Sequence, residues 1–62
     1  MYVLLKNEID ARNLCGHMVG SFILKKENDF YVKVTDEKYL LDEHVVVNKP
    51  KEEEGEYEKI IL

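Results

Sequence analysis

The 62-residue sequence predicts a mainly β fold: a small antiparallel β-barrel or meander of about five to six short strands with one short helical turn. Three observations predict it. Residues 17 to 47 form a series of short β-prone runs separated by turn residues. Apolar and polar residues alternate cleanly over Phe30 to Thr35. Only residues 8–14 carry helix start and stop signals.

The first strand is Tyr2 to Lys6, dense in Tyr, Val and Leu. Asn7 then offers a side chain that can cap the free N–H groups of a helix, with Asp10 three residues on and Gly16 as a stop. The helical element is one to two turns over 8–14, with Ile9 and Leu14 toward the core. His17 to Lys26 is the longest strand candidate. Met18, Gly20, Phe22 and Leu24 share one face of it, and Val19, Ser21 and Ile23 the other. Both faces are partly apolar, and Gly20 at the centre predicts a bulge or bend. Glu27-Asn28-Asp29 is a turn. Phe30, Val32 and Val34 then point inward, with Tyr31, Lys33 and Thr35 outward. Asp36-Glu37 is a second turn, Tyr39 to Leu41 a short strand, and Asp42-Glu43-His44 a third turn. Val45-Val46-Val47 is the most β-prone triplet, and Pro50 ends it. An acidic loop spans 48–56, and Tyr57 to Leu62 make a closing strand. Strands joined by short turns favour a meander, and closure into a barrel would remove exposed edges.

A chain of this length makes a single domain, 1–62, that buries only about 60% of its unfolded surface. Cys15 is the only cysteine, which excludes an intrachain disulfide and fits a reducing compartment. Met1 to Lys6 lack the basic front end and apolar run of a secretory leader, and nothing approaches the roughly 18 apolar residues of a membrane span. The expectation is a cytoplasmic protein with no membrane partner. The net charge of −4 is unevenly placed. Residues 1–50 carry seven basic and eight acidic side chains; residues 51–62 carry two and five. Nucleic-acid binders usually show a dominant basic stripe, and the linear sequence shows none.

Cys15, His17 and His44, with Asp42 or Glu43, are the residue types of a zinc site. Their spacing matches no finger or ribbon pattern, and Cys15 and His17 would share a face only if both were extended. The preferred reading is that Cys15 is a small buried apolar residue and the two imidazoles lie at the surface or in turns. As nucleophile and base the same groups lack an oxyanion donor and a third, orienting residue. No enzyme, metal or cofactor is expected.

Two features point to binding. Tyr31 and Lys33 share one strand face, with Lys25, Lys26 and Lys38 near in sequence, a combination on which bases can stack. The blander reading has Tyr2, Tyr31, Tyr39 and Tyr57 covering barrel ends. The acidic loop, with Glu52, Glu53, Glu54 and Glu56, is either solvated or a docking surface for a basic partner. The candidate interaction surface is therefore Tyr31, Lys33 and Tyr39 together with Glu52, Glu53, Glu54 and Glu56.

Gly16-His17-Met18-Val19-Gly20, a strand, a turn with Asp29, and then Phe30-Tyr31-Val32-Lys33-Val34 resemble the centre of an Sm-like or Src-homology-three-like small barrel. The resemblance covers residues 14–47 and implies a glycine-bent second strand and an alternating third. The Sm-like family also implies RNA-binding rings. Here a strand precedes the helix, and Val45-Val46-Val47-Asn48 lacks the glycine that family places near its fifth strand. The expected function is a small non-catalytic protein-interaction or regulatory module that forms homo-oligomers. Size and acidity also fit a phage or mobile-element protein acting on a host factor. The alternative is a nucleic-acid-binding small barrel.

Overall fold

A computed structural model describes residues 1–48 and 57–62. Its elements, in chain order, are β1 (Tyr2–Leu5), α1 (Glu8–His17), β2 (Ile23–Lys26), β3 (Asp29–Lys33), a 3-10 turn (Glu37–Tyr39), β4 (Val45–Val47) and β5 (Glu58–Ile60). The strands form one antiparallel sheet in the order β4-β1-β3-β2-β5. Only β2 and β3 are neighbours in both chain and sheet, so the sheet is not a meander. β4 and β5 occupy opposite edges, so among the described residues the sheet is open and no barrel closes.

The helix starts where its cap predicts. Asn7 is extended, and its Oδ1 accepts the N–H groups of Ile9 at 2.8 Å and Asp10 at 3.1 Å. Glu8 and Asp10 lie in the first turn, where carboxylates favour the positive end of the helix. Arg12 reaches back one turn to Glu8 at 2.9 Å. The helix does not stop before Gly16 but runs through it to His17. A glycine inside a helix costs about 1 kcal/mol relative to alanine. The longer helix offsets this by burying Ala11, Leu14 and Cys15, at i, i+3 and i+4, and by bringing its extended C-cap residue Met18 into the core. Ile9 falls off that stripe and is 69% exposed, contrary to the expected inward position.

That extension shortens the next strand. Gly20 has φ of +82° and belongs to the turn between α1 and β2, not to a bend within a strand. Of the two features behind the small-barrel resemblance, the alternation of β3 is present and the glycine-bent second strand is not. Residues 39–41 are not a strand either. The Asp36 side chain accepts the Lys38 N–H at 3.2 Å and caps the 3-10 turn. Tyr39 and Leu40 then both pack against the core, which strand alternation would not allow.

The core lies between α1 and one sheet face. Register aligns Val46, Val3, Val32, Ile23 and Ile60 across all five strands. The central three, Val3, Val32 and Ile23, are fully buried. Ala11, Leu14, Cys15 and Met18 cover them from the helix and its C-cap, with Phe30 completing the cluster. No described helix is long and apolar enough to cross a membrane.

Two substitutions test this account. Ile23→Ala should cost about 2–5 kcal/mol, as much as a domain of this size usually has, and leave the chain largely unfolded in a circular-dichroism melt. Glu27 sits at φ of +56° in the two-residue turn between β2 and β3. Glu27→Gly should therefore stabilise by about 0.5–1 kcal/mol in urea titrations, by relieving left-handed strain.

Candidate binding face

The strand period of two divides each strand between the helix-covered face and an opposite one, over which no described element packs. On β3 the opposite face carries Asp29, Tyr31 and Lys33. Register places Leu4 and Leu24 on either side of Tyr31, and Lys59 next to Leu24. Phe22 joins them just before β2, fixed by its C=O accepting the Lys33 N–H at 3.0 Å. Tyr57 joins just before β5.

Rings and ammonium groups alternate over this face. The Lys59 Nζ lies 4.3 Å from the Phe22 ring centre and the Lys33 Nζ 5.5 Å from it. The Lys26 Nζ lies 5.3 Å from the Tyr57 ring centre. Tyr31 meets Tyr57 edge to face, with centroids 5.7 Å apart and planes at 75°. Phe22 meets Tyr2 similarly at 6.3 Å. The ammonium groups thus lie over aromatic faces, where the ring quadrupole attracts them.

Charge is sorted between the two sides. Lys6, Lys26, Lys33 and Lys59 share the open face, where Asp29 is the one carboxylate among the described residues, and Asp29 is bonded to Lys6. Glu8 and Asp10 lie in α1, Asp36 and Glu37 at the 3-10 turn, and Asp42 and Glu43 in the turn that follows. A chain of net charge −4 therefore presents a basic sheet face. The hydrogen bond to Asp29 holds the Lys6 ammonium above its usual pKa. Burial, followed by the Asp29 charge, holds the Tyr31 phenol above its usual pKa.

Of the predicted surface, Tyr31 and Lys33 lie side by side on this face. Tyr39 does not join them: it packs on the helix side and stacks on His17, centroids 5.4 Å apart and planes at 13°. Glu52, Glu53, Glu54 and Glu56 lie outside the described residues, as does most of the acidic loop. Cys15 and His17 diverge because the helix continues through them, and residues two apart on a helix do not share a side. Cys15 is buried in the core, whereas His17 is exposed. The His44 Nδ1 accepts the Leu41 N–H at 3.0 Å. Among the described residues no three His, Cys, Asp or Glu side chains are grouped to hold a metal ion. A cavity of about 530 Å³ on the helix side is lined by Leu5, Asp10, Asn13, Leu41, Glu43 and His44.

Phe22 and Lys59 are site residues that the linear reading missed, and Lys26 and Tyr57, which it weighed, fall outside its candidate surface. A signal existed: Tyr31-Val32-Lys33 and Tyr57-Glu58-Lys59 repeat the pattern Tyr-x-Lys, which puts ring and ammonium on one face of a strand. No protein-family model, curated protein or solved structure matches the chain.

The Tyr31 environment has a checkable consequence. Its folded pKa is raised, so its contribution to stability is complete below the ordinary tyrosine value of 10.0 and is lost as pH rises through the folded value. Ultraviolet difference titration of the parent against Tyr31→Phe should show the lost ionisation lying above 10.0. A lost ionisation at or below that value would contradict the buried setting.

Proposed function

We propose that this chain is a non-catalytic interaction module that binds a polyanionic partner through the open face of its sheet. The observation that carries the reading is the gathering of Lys26, Lys33 and Lys59 around Phe22 and Tyr57 in an acidic protein. A basic field confined to one face raises the local concentration of an anionic partner and orients its approach. Net negative charge elsewhere opposes unspecific adsorption of the rest of the surface. The charge arrangement among the described residues thus favours an acidic partner over the basic one that the loop composition suggests.

The reading is tested by binding to heparin, a polyanion without bases, at low salt. Lys33→Glu should weaken retention about tenfold, whereas Lys38→Glu, an equal charge change on the other side, should have little effect. No retention at low salt, or equal loss from both variants, overturns it.

A second reading, a protein partner or a second copy of the chain, is favoured by β4. This strand ends the sheet with Val45 57% and Val46 49% exposed, and it pairs only with β1 among the described residues. An edge strand made of three valines suits strand addition. If β4 mediates self-association, Val46→Lys should convert an oligomer to a monomer in native mass spectrometry. A parent that is monomeric throughout would count against this reading.

A further inference from the structure

We infer that the anionic partner of the open sheet face is a single-stranded nucleic acid. The inference rests on the polyanion reading above and adds what the aromatic groups contribute. A purely charged polymer would be held by lysines alone. Here Phe22, Tyr31 and Tyr57 are stepped over one face, Phe22 just before β2, Tyr31 on β3 and Tyr57 just before β5. Side chains two apart on a strand are about 6.6–6.8 Å apart, on the scale of one nucleotide step.

The lysines are placed to follow the bases. Lys33 and Lys59 lie over Phe22, and Lys26 over Tyr57, within 4.3 to 5.5 Å of the ring centres. A base that stacks on either ring brings its phosphate beside an ammonium group. The flexible stem lets that ammonium leave the ring face to the base and move onto the phosphate. Aromatic platforms interleaved with cations are how single strands are held without sequence preference.

Other polyanions fit the same face less well. A duplex hides the flat surfaces of its bases, and among the described residues this face has no projecting helix or ribbon to enter a groove. An acidic peptide would gain from the two-pronged hydrogen bonding of arginine. Arg12, the only arginine in the chain, lies on the helix and pairs with Glu8. Lysines supply point charge without that fork, which suits phosphates spaced along a flexible strand.

Fluorescence anisotropy at low salt tests the inference with four labelled probes. These are a mixed-sequence single-stranded oligonucleotide, its duplex, an abasic strand of equal length, and heparin. The expected result is at least about tenfold tighter binding of the single strand than of each of the others. Tyr57→Ala, just before an edge strand and outside the core cluster, should lose about tenfold more affinity for the single strand than for heparin. Lys33→Ala should reduce the salt dependence of single-strand binding by about 0.7 in the slope of log K against log salt. If the single strand binds no tighter than its abasic counterpart, its duplex or heparin, the inference is overturned and the polyanion reading stands. If none of the four probes binds, both are overturned.

Discussion

The structure depends on one row of side chains. Val46, Val3, Val32, Ile23 and Ile60 lie in register across the five strands, and all are β-branched. Such residues are stiff and pack well on a pleated surface. The row fixes register, because a slip by one residue would turn a strand's apolar set to the other face. It also explains the length of α1. A helix ending before Gly16 would not bring Met18 over the sheet, and Cys15 would lose its place in the cluster. The cost of an internal glycine is small beside the burial of those two side chains.

One helix covers only one face of a sheet. Among the described residues no other element packs over the second, and that face carries its own protection. It does so with amphipathic side chains. Lysine stems and tyrosine and phenylalanine rings lie over Leu24 and Tyr2, both nearly fully buried although they belong to the face away from the helix. The solution that keeps apolar strands from solvent also arrays rings and cations on one face. The residues that shield the strands are therefore the same ones on which the proposed binding rests.

Much of the local structure was legible. Asn7 marked the helix start because an amide that can cap backbone N–H groups acts over two or three residues. The alternation of Phe30, Tyr31, Val32 and Lys33 placed two of the open-face residues correctly, because strand period is a backbone property. The segment 39–41 was misread as a strand because the Asp36 cap and the pull of Tyr39 and Leu40 to one side outweighed β propensity. Ile9 was misread because the helical stripe of Ala11, Leu14 and Cys15 includes small residues that announce themselves weakly. Tyr39 was grouped with Tyr31 by composition, yet the sheet lies between them.

By itself the sequence determined what acts over a few residues: a mainly β chain, the capped helix start, the turn before β3, the inward and outward sets of β3, and two Tyr-x-Lys pairs. Only the tertiary structure decided which strands pair. β1 lies between β3 and β4, and β5 reaches across more than thirty residues of chain to lie against β2. Those choices bring Lys59 to Phe22 and Tyr57 to Tyr31, and so assemble the open face. The physical reason is that pairing depends on which strands can bury the common apolar row beneath α1. That is a property of the whole packed chain and of no single segment within it.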